Sequence, residues 1–390
     1  MRFLTALIFA LTVSTTAAQT PGGKIRNYYV AVDEVEWDYA PKNIDEMTGQ
    51  AFDRFAKIWI ERGSKRIGKV YRKALYREYT DATFKTLKPR EGDQRYLGIL
   101  GPILRGEVGD TIKIVFRNNA TQTYSMHPHG VFYKKASEGA LYNDGVPLAE
   151  KPGAAVPPGG SHTYEWVVTE RSGPGPGDGS SVVWLYHSHV HEPKDVNSGL
   201  VGALIVNARG ASRPDGTPKD VDREFVTLFM VFDENQTWYL DHNIRTYADP
   251  KSVEKGEFIP VDVDGASSLF IGGGFATVNH KFTINGYLFG NGPMMTMKQG
   301  ERVRWYLLSL GDGFNFHTPH WHGNVVLRDK RRTDVVTLMP AEMAVADMTA
   351  DNPGIWMFHC HVSDHLEAGM HAHYHVLPAT PAARTTGAAR

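Results

Sequence analysis

The chain predicts an all-β fold built from two sandwich or barrel domains of the same kind, and three observations carry that expectation. Short β-type runs broken by Gly, Pro and Asn dominate: "TIKIVFRN", "HTYEWVV", "SVVWLYHSH", "GLVGALIV", "REFVTLFMVF", "ERVRWYLL", "GIWMFHCH" and "MHAHYHV". Many such runs with turn signals between them read as antiparallel sandwiches or barrels. A length of 390 residues is too great for one ordinary core and suits two domains of similar size. The chain also repeats itself. "GPILRGEVGDTIKI" from Gly101 aligns with "GPMMTMKQGERVRW" from Gly292, and "HPHG" from His127 with "HWHG" from His320. A third match sets "VVWLYHSH", ending at His189, against "GIWMFHCH", ending at His361.

The elements follow in order. Residues 1–18 have the layout of a secretory signal, with Arg2, an apolar run from Phe3 to Val13 and small residues up to Ala18. The run is shorter than the roughly 20 apolar residues a membrane-spanning helix needs. No later stretch is longer, so the mature chain is expected to be soluble and secreted or periplasmic. The repeat places one domain over 24–208 and the second over 221–378, joined by a linker at 209–220 rich in Gly, Pro and charge. Residues 43–63 fit either a helix or a long decorated loop. The tail 379–390 is expected to be disordered. With Lys+Arg 42 against Asp+Glu 43, nothing favours nucleic acid as a partner.

Four His-x-His pairs stand out: His127 and His129, His187 and His189, His320 and His322, His359 and His361. Residues two apart on a strand share a face, so each pair offers two imidazoles to one surface. Neutral imidazole is a common ligand for copper and zinc, and two pairs at matching places in each repeat are not a chance arrangement. The only cysteine, Cys360, lies inside the last pair. A lone thiol in an exported chain has no disulfide partner, and a metal would hold it.

His317, Cys360, His365 and Met370 make the ligand set of a blue-copper electron-transfer site. The first repeat has Ser188 for the cysteine and Leu200 for the methionine, so the prediction is that it has lost this site. Alternation along the strand points Cys360 to one face and His359 and His361 to the other. The eight paired histidines are enough for three more coppers, and four one-electron centres match the four electrons that reduce O2 to two waters.

These motifs, "HPHG", "HSH", "HTPHWHG" and "HCHVSDHLEAGM", resemble those of multicopper oxidases in order and spacing. "GKVYRKALYREYTDATF", "LGILGPILRGEVGD" and "DREFVTLFMVFDENQTWYL" look most like the plastocyanin-like domains of the ceruloplasmin and hephaestin type, while the domain number resembles two-domain laccases. The resemblance implies two cupredoxin domains. It assigns His317, Cys360, His365 and Met370 to a type 1 copper, and His127 and His320 to a type 2 copper. His129, His187, His189, His322, His359 and His361 go to a type 3 pair. It also implies a homotrimer, with a trinuclear cluster at each subunit interface.

Asp144, in "YNDG", resembles the family's proton relay, although an Asp-Gly turn explains it equally well. Tyr133 is either a hydrogen-bond donor near the cluster or a packing residue. His371, His373 and His375 share a strand face, as an auxiliary metal site or as polar surface. The leading expectation is a laccase-like oxidase that takes electrons from a phenolic or aromatic donor. A ferroxidase or cuprous oxidase of ceruloplasmin type is the alternative. Copper nitrite reductase needs its cysteine in the first domain, and a non-enzymatic copper carrier would not need intact ligand sets.

Overall fold

The computed structural model describes residues 23–90, 92–253, 274–311 and 315–379. The leader expected at 1–18 and all but the first residue of the tail at 379–390 lie outside the described residues. The remainder folds as two β-sandwiches, each made of two sheets.

The first sandwich uses β1 (Ile25–Asp38), β2 (Val70–Glu78), β3 (Leu104–Glu107), β4 (Thr111–Asn118), β5 (His127–Pro128), β6 (Ser161–Val167), β7 (Ser181–His187) and β8 (Val201–Asn207). Its sheets run β2-β1-β4-β6 and β3-β8-β7-β5. The second uses β9 (Arg223–Asp233), β10 (His280–Ile284), β11 (Met295–Lys298), β12 (Arg302–Ser309), β13 (Pro319–Trp321), β14 (Val326–Arg328), β15 (Arg331–Thr333), β16 (Met343–Thr349), β17 (Gly354–Cys360) and β18 (His371–Leu377). Its sheets run β10-β9-β12-β16-β14-β15 and β11-β18-β17-β13. With β14 and β15 set aside, the two halves have the same strand order. Even the parallel pairs correspond, β1 with β4 as β9 with β12, and β3 with β8 as β11 with β18.

Alternation explains the strands. In β4 and β16 every second residue is buried, as a sheet with one face on a core requires. β8 and β9 are buried almost throughout, because both of their faces are covered. No sheet mixes strands from before and after residues 208–222. That segment is tied down, since the Arg213 guanidinium donates to the Val221 carbonyl at 2.7 Å and the Ser212 N–H to Glu107 at 3.2 Å. Residues 43–63 are mostly turns around one short helix, Ala56–Ile60.

The halves share a core. One apolar cluster joins Val183, Leu185 and Ile205 of the first to Phe225, Trp305 and Phe358 of the second. Across the same boundary, buried Lys73 on β2 pairs with buried Glu234, which also accepts a hydrogen bond from the Tyr39 hydroxyl at 2.5 Å. A charge buried with its partner is strongly destabilised if either is removed, so this contact pins the two sandwiches together. Among the described residues, no helix is long and apolar enough to cross a membrane.

Candidate metal centres

The strand register sets the first group of histidines. His127 on β5 lies directly opposite His187 on β7, and the loops that follow each strand bring in His129 and His189. The four rings sit with centroids 5.2–5.8 Å apart. The Nε2 atoms of His129 and His187 face each other at 3.1 Å. His127 Nδ1–H donates to the Glu138 carbonyl at 2.6 Å and His187 Nδ1–H to the Ser188 carbonyl at 3.1 Å, which leaves each Nε2 lone pair free.

The second sandwich repeats the arrangement. His320 on β13 lies opposite His359 on β17, with His322 and His361 beyond them. The His322 and His359 Nε2 atoms are again 3.1 Å apart, and His359 Nδ1–H donates to the Cys360 carbonyl at 2.7 Å. His320 stacks on His361 with centroids 5.2 Å apart. Ligand atoms of His320, His322 and His359 all lie within 4.8 Å of one another. Burial, with neighbouring histidines adding to it, pushes His187 down to about 3, and His129 and His359 to about 4. Imidazoles that stay neutral at pH 7 and turn bare nitrogens toward one another are the donor set a metal ion fits. Among the described residues, the ring contacts of each quartet stay within it, apart from Tyr133, whose ring centroid is 5.9 Å from that of His127.

On the other face of β17, the fully buried Cys360 Sγ is 3.9 Å from His317 Nδ1 and 3.6 Å from His365 Nδ1. These are separations of atoms that share one ion. His365, on the helical turn Ser363–Glu367, directs Nε2 to the Asn315 side chain at 3.3 Å, so its Nδ1 is free for the metal. Burial pushes His317 down to about 3 and His365 to about 4. Burial also raises the Cys360 thiol, while the Thr318 N–H, 3.3 Å from Sγ, favours the thiolate. Met370 is fully buried, and its backbone is bonded to both partners: its N–H donates to the His365 carbonyl at 2.9 Å, and its carbonyl accepts from the Cys360 N–H at 3.1 Å.

The equivalent pocket of the first sandwich is sealed by hydrogen bonds. Ser188 Oγ accepts from the Ser125 N–H at 3.0 Å, as Cys360 Sγ does from Thr318, and the Ser188 N–H reaches the Leu200 carbonyl at 3.3 Å, as Cys360 reaches Met370. Tyr124 stands where the second sandwich has His317. The turn after Ser188 is two residues longer than the one after Cys360, and Asp195 takes the place of His365. Its carboxylate accepts from Ser188 Oγ at 2.8 Å, the Val190 and His191 N–H groups at 3.0 Å and Trp238 Nε1 at 2.9 Å. The sequence reading named Ser188 and Leu200 and missed Tyr124 and Asp195; numbering from the "HPHG" motif would have found the former.

The two other expected residues fare differently. Tyr133 does lie beside His127. Asp144 contacts lysines and no histidine: Lys151 at 2.7 Å and Lys135 at 2.8 Å hold its carboxyl far below the usual carboxylate range, and Oδ1 accepts from the Val146 N–H at 3.0 Å. A carboxylate held ionised in this way is a poor proton donor at neutral pH. Glu192, three residues after His189, carries a carboxyl raised by burial and interacts electrostatically with His189. No sequence motif marked it.

Two sequence models described as "Multicopper oxidase" match residues 94–211 and 271–380, together more than half of the chain. The chain belongs to the multicopper oxidase family. Copper is the metal this family implies, and the donor sets above fit it. Human Ferroxidase HEPHL1 is 45% identical over 359 residues, covering 91% of this chain and 29% of that protein. Mouse hephaestin is 41% identical over 358 residues, with 90% and 29% covered. Human ceruloplasmin is 37% identical over 377 residues, with 96% and 33% covered. The chain thus spans about a third or less of the length of these relatives. Among solved structures, the blue copper oxidase from Nitrosomonas europaea aligns with a TM-score of 0.54 at 18% identity, covering 90% of this chain and 86% of that one. A second multicopper oxidase structure gives 0.54 and 18%, with 92% of each chain covered. Such low identity speaks for the fold alone, and that fold is the expected pair of cupredoxin sandwiches.

Proposed function

We propose that this multicopper oxidase is a ferroxidase: it takes single electrons from Fe(II) at the Cys360 site and delivers them to O2 at the paired histidines. The observation that carries the reading is β17, which places Cys360 in a buried His-Cys-His set and His359 and His361 in a histidine quartet. The phenolic donor expected from the two-domain build gives way to the metal-ion alternative, because the relative named a ferroxidase is 45% identical over 91% of this chain. The helical turn that carries His365 also favours a cationic donor, since Asp364 and Glu367 on it are exposed and Asp364 acts electrostatically on His365.

Bound copper supplies the one-electron chemistry, and four such centres match the four electrons that O2 accepts. The chain's residues do the rest. His317, His365 and Met370 hold the Cys360 centre away from water, and the eight paired histidines are assigned to three further coppers. Glu192 is better placed than Asp144 to pass a proton toward the histidines, with Tyr133 beside His127 as a hydrogen-bond donor. Export follows from the leader at 1–18, and the domains are taken as 24–208 and 221–378.

Each quartet holds four histidines, so a cluster of eight needs a quartet from each sandwich to face the other. Both quartets lie beside exposed apolar side chains, Phe132 and Tyr133 at one, Phe316 and Val325 at the other. We assign the closure to copies of this chain, head to tail in a trimer. A copper-loaded protein that sediments as a monomer with full oxidase activity would disprove the trimer. For the donor, oxygen uptake is compared with Fe(II), Cu(I) and a phenol. Fe(II) is expected to be fastest, and a faster phenol would restore the laccase reading.

A further inference from the structure

His371, His373 and His375 are left unused by the oxidase reading. They project from the face of β18 opposite the one that buries Tyr374 and Val376 in the core. His371 is 2% exposed, and its Nδ1 atom is buried with no hydrogen-bond partner. An imidazole so deeply buried ordinarily has its nitrogens satisfied, so a bare one needs an explanation.

The loop at 42–50 lies against this face and brings two carboxylates to the ring. His371 Nε2 is 3.8 Å from Asp45 Oδ1. That is too long for a hydrogen bond. It is close to the roughly 3.4 Å that separates two ligand atoms bonded tetrahedrally to one ion at about 2.1 Å. On the other side of the ring, a Cβ at Gly290 would be 3.6 Å from His371 Nδ1 and 2.7 Å from Glu46 Cβ, so Glu46 adjoins that edge. His373, half-buried, interacts electrostatically with both Glu46 and Asp45. The competing cation is Lys42, 2.9 Å from Glu46 Oε1 and well exposed, free to swing aside.

We propose that His371, His373, Asp45 and Glu46 form a separate binding site for a divalent transition-metal ion of the zinc or ferrous class. Mixed imidazole and carboxylate donors select borderline ions of this kind. The site does not depend on the donor chosen for the oxidase. It lies on the strand that continues from Met370, and His371 is paired in register with His359.

Zn2+, which is redox-silent, tests the site by calorimetric titration of the copper-loaded protein. One saturable Zn2+ per chain beyond the coppers is expected. His373→Ala and Glu46→Gln should each weaken it about tenfold or more, with copper content and circular dichroism unchanged. His280→Ala is the control, because His280 and Asp233 form an isolated pair 3.7 Å apart. It should leave binding as it was. Absence of saturable Zn2+, equal loss in the control, or unchanged affinity in the double variant His373→Ala/Glu46→Gln would overturn the proposal.

Discussion

The pockets beneath β7 and β17 share one backbone and differ in chemistry. In both, a strand ends in His-x-His, the middle residue accepts an N–H from two residues before the opposing histidine, and a later residue closes the turn by the same backbone bond. Around Cys360 the side chains are soft donors with free lone pairs. Around Ser188 they are Tyr124 and Asp195, which satisfy one another and the loop. The difference teaches that the sandwich supplies positions for ligands without requiring a metal, and that a lost metal centre is replaced by a hydrogen-bonded plug.

The largest test of this comparison is Cys360→Ser, which makes the second pocket resemble the first at one atom. We expect the intense blue absorption and the oxidase turnover to vanish while circular dichroism is retained. Unfolding of this variant would mean that the second pocket, unlike the first, needs its sulfur to fold. Next in size is Asp195→Ala in the first pocket. It leaves Ser188, Trp238 and two N–H groups short of an acceptor inside the protein, a loss of about 3 kcal/mol or more in denaturant unfolding. A loss below about 1 kcal/mol would mean that the plug is not what stabilises that pocket.

A smaller effect is the pH dependence of the plug. Burial raises the Asp195 carboxyl above its usual range, against four hydrogen bonds that pull it down. Between the unfolded and the folded pKa, the folded chain therefore binds the extra proton. The contribution of this group to stability falls as pH rises through that window. Asp195→Asn should remove that fall, visible as the difference between the two unfolding profiles from pH 4 upward. The smallest expected effect is Ser188→Cys with Leu200→Met. No blue band should appear on copper loading, because Tyr124 and Asp195 still stand where two imidazoles are needed. A blue band would show that sulfur alone decides the difference between the pockets.

Much of this was legible in the sequence, because it is local. The strands follow from alternation and turn residues, and the two-fold architecture from the repeat. The histidine quartets follow because residues two apart share a face and the register sets His127 opposite His187 and His320 opposite His359. What was not legible depends on contacts distant in sequence. The Lys73 and Glu234 pair that pins the halves joins residues far apart in the chain. Asp144 read as a proton relay from its place after "HPHG", but two lysines brought in by the folded loop claim it. Asp195 escaped notice because the longer turn shifts it out of alignment with His365. His371 read as one of a polar row until the loop at 42–50 was seen to cover it.

The two additional residues in the turn after Ser188 carry a historical meaning. They lie between strands that are otherwise superposable in order and register, so their gain or loss disturbs no sheet. A duplicated ancestral sandwich could therefore surrender or keep its electron inlet through a length change in one surface turn and a few neighbouring substitutions. In such a lineage the choice of which copy receives electrons is cheap to revise, whereas the paired histidines, written into the strands themselves, are inherited by both.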